Sequence, residues 1–172
     1  AKIPPNSVDS EQSVLGGLLL HNDSWDSVVN ILGSEDFYQA SHRIIYDAIV
    51  TLLEHDKPAD ILTVKEQVIK THDEESIGGF AYLAQIAENT PSVSNIEAYA
   101  KHVRELSIYR QLTKIGRELA ETAFNPKDIE VNDLLDLSER KIFEIAEQVS
   151  RNKQEITNVK DIIKDVVNRV HE

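Results

Sequence analysis

From Ile96 to Phe124 the chain runs through 29 residues with no Pro and a single Gly, and its apolar side chains recur at helical spacing. Ile96, Tyr99, Val103 and Leu106 form one stripe at steps of three and four. Ile108, Leu112, Ile115, Leu119 and Ala123 continue it one position out of step, on a rotated face of the same helix. A helix apolar on two sides needs two neighbours. It would be roughly 43 Å long against the ~30 Å diameter of a small domain, so it is expected to project.

The ends of this helix are marked. Ser94 with Glu97 reads as a capping box, and Pro91 keeps any earlier helix from running into it. Asn125-Pro126-Lys127-Asp128 is turn chemistry. Asn132 or Asp133 can then cap a returning helix in which Leu135, Ile142 and Val149 sit seven apart, widened by Phe143, Ile145 and Ala146. The spacing predicts a helical hairpin over residues 94–149. A projecting hairpin has too few neighbours to bury its apolar faces in its own chain. The faces carrying Tyr99, Val103, Leu106, Leu112, Ile115, Leu119, Leu135, Ile142, Phe143, Ile145 and Val149 are therefore expected to pair with a second copy. An intramolecular helix bundle is the alternative.

The front of the chain, residues 1–93, reads as a small globular all-α subdomain. After an extended arm at Ile3-Pro4-Pro5-Asn6, Asp9 with Gln12 signals a helix bearing Val14, Leu15, Leu18 and Leu19. Gly16 and Gly17 inside it would cost about 1 kcal/mol each relative to Ala, which points to another backbone crossing there. Ser24 can cap a short helix with Trp25, Val28, Val29 and Leu32, and Ile45, Tyr46, Ile49, Leu52 and Leu53 outline the next. Ile61-Leu62-Thr63 reads as a brief extended piece before a helix opened by a Thr63–Glu66 capping box. An acidic loop, His72 to Ser76, then leads through Gly78-Gly79 into Phe80, Leu83, Ala84 and Ala87.

Beyond Val149, the polar stretch 150–156 reads as a linker. A last helix over 157–172, capped at Thr157, sets Val159, Ile162, Ile163, Val166, Val167 and Val170 on one side. Such a stripe needs a groove, either on its own domain or on a neighbouring copy. Met is absent, even at position 1, and no breaker follows the final helical pattern, as expected of a piece cut from a longer chain.

The net charge of −12 argues against a protein whose main task is gripping phosphate backbones. Its distribution is uneven: residues 1–90 carry 5 basic and 15 acidic side chains, and residues 91–172 carry 13 and 15. Lys101, Arg104, Arg110, Lys114 and Arg117 form a basic run in the long helix with only Glu105 among them. It reads either as a solvated face or as a contact for a partner or nucleic acid. The absence of Cys removes disulfides and thiolate metal sites. No apolar run is long enough to span a bilayer and no basic segment precedes one, so the chain is expected to be soluble and cytoplasmic.

Catalytic signatures are missing. None of the six Gly belongs to a P-loop or GxGxxG motif, the six His show no metal-ligand spacing and read as surface or capping residues, and no GxSxG occurs. No catalytic, cofactor or metal site is expected in these residues.

Several separate blocks resemble one family. Ile3-Pro4-Pro5 with Glu11-Gln12-Ser13-Val14-Leu15-Gly16-Gly17-Leu18, and Asp36-Phe37-Tyr38 with His42-Arg43, are similar to the N-terminal domain of the bacterial replicative DNA helicases of the DnaB family. So are Gly78-Gly79-Phe80-Ala81-Tyr82-Leu83-Ala84, Asn89-Thr90-Pro91-Ser92, Asn95-Ile96 with Ala98-Tyr99-Ala100, and Val103-Arg104-Glu105. Asp133-Leu134-Leu135-Asp136-Leu137 with Ile145-Ala146-Glu147 continue the likeness, which covers residues 2–170 and thins at 72–76 and 150–156. The resemblance implies a collar domain whose hairpins pair, so that six copies form a ring of three dimers. It also implies a linker helix that packs on the neighbouring subunit's RecA-like ATPase domain. That domain, which holds ATP and Mg and contacts DNA in the full-length ring, would follow Glu172. Primase, helicase loader and phage replication proteins are the implied partners of the collar. A direct DNA-binding module using the basic run is the alternative reading.

Overall fold

The computed structural model describes residues 2–171, those at 151–160 as helical backbone. Among the described residues the regular structure is helical throughout, with no strand. The helices are α1 (Val8–Leu20), α2 (Trp25–Val28), α3 (Ala40–Glu54), α4 (Ile61–Ile69), α5 (Phe80–Glu88), α6 (Ile96–Phe124) and α7 (Val131–Val170). The all-α expectation is borne out.

The chain divides into two compact units, Ala1–Ser107 and Ile108–Glu172, with the boundary inside α6 rather than at residue 93. The reason is visible in α6 itself. Ile96, Ala100, Val103 and Ser107, spaced by four, three and four, are buried in the first unit, and Tyr99 packs against the same core. The opening turns of the long helix therefore complete the front core.

That core is built from Val14, Leu15 and Leu18 of α1, Ile45, Tyr46 and Ile49 of α3, Val64 and Val68 of α4, and Leu83 and Ile86 of α5. The paired glycines behave as expected. A Cβ on Gly16 would lie 2.7 Å from the Ile86 carbonyl oxygen and would collide with the Thr90 hydroxyl, so α1 and α5 approach at a distance only Gly permits. A Cβ on Gly17 would lie 2.8 Å from Cδ1 of Ile96. Tyr46 anchors an aromatic group, its ring centroid 4.9 Å from Phe37 and 6.2 Å from the half-buried Trp25. Its hydroxyl donates to the Leu32 carbonyl at 2.8 Å, and burial pushes the phenol well above its ordinary pKa.

Several helix starts differ from the sequence reading. Ser7, not Asp9, caps α1, accepting from the Ser10 amide. Asp60 caps α4 reciprocally with Thr63, at 2.8 Å in each direction, so Ile61-Leu62-Thr63 is the first helical turn and not an extended piece. The expected helix from Trp25 to Leu32 is the short α2 behind a 3-10 turn, and Ser24 makes no cap bond. Ser92 caps a 3-10 turn, Val93–Asn95, ahead of α6, while Glu97 pairs with Lys101 at 3.1 Å instead of boxing with Ser94. Glu130, not Asn132 or Asp133, holds the N-cap position of α7 and makes no side-chain cap bond. The acidic loop forms a 3-10 turn, Glu74–Ile77, and Gly78 and Gly79 take φ of 81° and 86° to turn the chain into α5.

The expected linker at 150–156 is instead part of α7, which runs unbroken for 40 residues. Ser150 to Glu155 lack apolar side chains, but they also lack Pro and Gly, and Arg, Lys, Gln and Glu are good helix formers. Polarity alone does not end a helix.

Candidate docking surface

In the second unit α7 packs against the later turns of α6. Ile115, Leu119 and Thr122 line one narrow cleft with Leu134, Leu137 and Ser138, and Lys141 donates to Glu118 at 3.1 Å. Ile115 and Leu119, expected between subunits, are half-buried along the seam within the hairpin, and Ile145 is buried. Val103 is corrected more sharply: it is buried in the core of the first unit, against which the half-buried Tyr99 packs. Leu106 is half-buried.

What stays open is a long apolar ridge. Leu112 of α6 is exposed, as are Leu135, Ile142, Phe143 and Val149 of α7. Ile162, Ile163, Val166, Val167 and Val170 of the expected docking helix are exposed as well, while the Val159 side chain lies outside the described residues. Because α7 is continuous, these two groups share one register. Leu135, Ile142, Val149, Ile156, Ile163 and Val170 occupy every seventh position without a break. A straight α-helix drifts ~20° per heptad, so this ridge winds slowly around α7.

The basic run does not form one free face. Arg104 donates to the buried Asp36 carboxylate at 2.7 Å and its side chain is only 16% exposed, while Lys101 pairs with Glu97. Arg110 is half-buried; Lys114 and Arg117 are exposed.

Two buried polar networks escaped the sequence reading, both inside the first unit. Glu11 accepts from the Tyr38 amide at 2.8 Å, the Gln39 amide at 3.3 Å and Nδ1 of His42 at 2.8 Å. Nε2 of His42 meets the Tyr82 hydroxyl at 2.6 Å, and that hydroxyl accepts from Gln12 at 3.0 Å. His42 is fully buried, neither surface nor cap. The second network centres on Asp36, which accepts from Arg104, from Ser107 at 2.8 Å and from the Gly33 amide at 2.9 Å. The available signal was positional: Glu11 precedes Leu15 and Leu18, and His42 precedes Ile45 and Ile49, on the same apolar faces, where a polar group must be paired. Both networks join elements; neither leaves a group aimed at a ligand. Among the described residues every buried side-chain N or O has a partner, and no three His, Asp or Glu converge as metal ligands. Nor is any described helix long and apolar enough to cross a membrane.

Comparison with known proteins agrees with this arrangement. A family model described as the DnaB-like helicase N terminal domain matches residues 3–105. The replicative DNA helicase DnaB of Pasteurella multocida (strain Pm70) is 40% identical over 168 residues, which are 98% of this chain and 36% of that protein. The replicative DNA helicase DnaC of Bacillus subtilis (strain 168) is 36% identical over 94% of this chain and 35% of its own length. The chain thus spans about a third of the length of these curated relatives. The crystal structure of the N-terminal domain of DnaB helicase from Mycobacterium tuberculosis superposes with a TM-score of 0.78 at 31% identity, covering 83% of this chain and 99% of that one. A structure described as a DnaB-like replicative helicase and its interactions with primase shares the fold, with a TM-score of 0.65 at 22% identity over 81% of this chain and 30% of that one. The matched model takes in more than half of the residues, so the chain belongs to the DnaB-like helicase N-terminal domain family.

Proposed function

We propose that this chain is the non-catalytic collar segment of a hexameric replicative DNA helicase. It pairs with a second copy through its hairpin and offers docking faces to primase and to loader or phage replication proteins. The observation that carries this reading is the exposed heptad ridge of α7, with Leu112 of α6 exposed as well. A monomeric soluble domain rarely leaves so long an apolar surface in water, and burial at ~25 cal/mol per Å² favours a partner helix over solvent. The tail residues Ile162 to Val170 extend that ridge toward a neighbouring subunit. ATP and Mg, with the unwinding chemistry, are assigned to an ATPase domain of the parent helicase, and the compartment to the cytoplasm. The helicase activity of the relatives and the primase described for one structural neighbour support this assignment.

The test is the molar mass of the purified chain across a concentration series, measured by sedimentation equilibrium. Mass should rise from one copy toward two. A constant single-copy mass at the highest concentration reached would overturn the pairing. Salt-sensitive DNA binding by this chain would instead favour the nucleic-acid reading.

A further inference from the structure

The first unit carries an apolar groove that the hairpin reading does not use. It is lined by Leu19 and Leu20 at the end of α1, Asp60, Ile61 and Leu62 at the start of α4, and Ala87 of α5. Leu20 is 50% and Leu62 59% exposed, large fractions for leucines on adjoining elements.

The walls are fixed by hydrogen bonds. Asn22 donates to the carbonyls of Leu18 and Ala59 at 2.8 Å each, and its side-chain oxygen accepts from the Ala59 amide at 3.1 Å, clamping the end of α1 to the segment entering α4. The reciprocal bonds between Asp60 and Thr63 set the direction in which α4 leaves. On the third side, the close approach at Gly16 seats α5, which carries the lining residue Ala87, against α1. A groove held this way needs little ordering when it is filled.

Asp60 lies in its lining, and the chain on either side of the lining residues is acidic: exposed Asp23 follows Leu20 by three residues, exposed Glu66 follows Leu62 by four, and exposed Glu88 adjoins Ala87. The same stretches carry two lysines, exposed Lys57 and half-buried Lys65, and Lys65 lies over the Phe80 ring, 4.4 Å from its centroid. The whole front of the chain has the same sign, with 5 basic against 15 acidic residues in 1–90, so this surface repels another copy of itself.

We propose that this groove is a second docking site and that its occupant is a basic amphipathic helix of another protein. Apolar residues one turn apart on that helix would seat on Leu20, Ile61 and Leu62, while Lys or Arg on its flanks meets Asp23, Asp60, Glu66 and Glu88. Three short, rigidly placed walls around an apolar floor suit a helix laid in a groove, and the charges select its sign.

Two synthetic helical peptides of equal length test this, one patterned with Leu and Lys and the other with Leu and Glu, each titrated into the isotopically labelled chain. The Leu/Lys peptide should bind and shift the amide resonances of Leu20, Ile61, Leu62 and Ala87, while the Leu/Glu peptide should not. Leu20→Asn with Leu62→Asn should weaken binding by about tenfold or more. A second variant, Asp23→Lys with Glu66→Lys, keeps the apolar groove, and should lose the Leu/Lys peptide and gain the Leu/Glu one. Shifts confined to other residues, equal binding of both peptides, or no binding would overturn the proposal. So would an unchanged affinity in both variants, or a loss of self-association in the Asn variant, which would give the groove to a second copy.

Discussion

Nδ1 of His42 lies 2.8 Å from Oε1 of Glu11, and both side chains are buried between α1 and α3. Glu11 also takes two backbone amides that precede α3. Glu11→Ala would remove the acceptor that ties these amides to His42, and it is expected to lower unfolding free energy by about 3–5 kcal/mol. Tyr82→Phe removes one hydroxyl at the network's half-exposed end and should cost about 0.5–1.5 kcal/mol. Urea unfolding of the two variants checks the ratio, and equal losses would show that Glu11 is not the centre.

Arg104 and Lys101 lie one turn apart on α6 but do different work. Arg104→Ala removes the 2.7 Å charge-assisted bond to the buried Asp36 carboxylate and should cost about 2–3 kcal/mol. Lys101→Ala breaks an exposed pair with Glu97 and should change stability by less than about 1 kcal/mol. If thermal melts show the two variants to be equivalent, the Asp36 network does not hold α6 to the first unit.

Two Gly→Ala changes should have opposite signs. At Gly16 the new methyl meets the Ile86 carbonyl and Thr90, and overpacking is expected to cost about 1–3 kcal/mol despite Ala's helical preference. At Gly116 nothing lies within 4 Å of the added carbon, so Ala should stabilise by about 0.5–1 kcal/mol. Denaturation midpoints decide both; a stabilising Gly16→Ala would mean that α1 and α5 can part freely.

Asp substitutions should separate core from ridge. Val103→Asp places a charge in the front core and should unfold the first unit, readable as lost helical circular dichroism. Ile142→Asp or Leu112→Asp alters a side chain already exposed in one chain, so the fold should survive while dimers give way to monomers in sedimentation. Unchanged association in both ridge variants would remove α6 and α7 from the subunit contact.

What could be read in the amino acids was whatever depends on local spacing. The long helix from Ile96, the close backbone approach at Gly16-Gly17 and the exposed ridge at Leu135, Ile142 and Val149 all follow from periodicity or from a residue with no side chain. What could not be read was which of two apolar faces meets which neighbour. Val103 and Leu112 look alike along α6, yet one lies in the front core and the other in water, because the division is set by where α1 and α5 end up. The burial of His42 is hidden in the sequence for the same reason: only the fold brings Glu11 and Tyr82 to its two nitrogens. The break expected at 150–156 is absent for a different reason: a run of polar helix formers contains no residue that stops a helix.

An unbroken α7 turns the segment 150–156 into a ruler. Each residue of a helix rotates the next by ~100°, so deleting one there would swing Ile163 and Val170 a quarter turn or more away from the line of Leu135 and Ile142. Its letters are free to vary among helix formers, but its length sets the angular phase between the two halves of the rod.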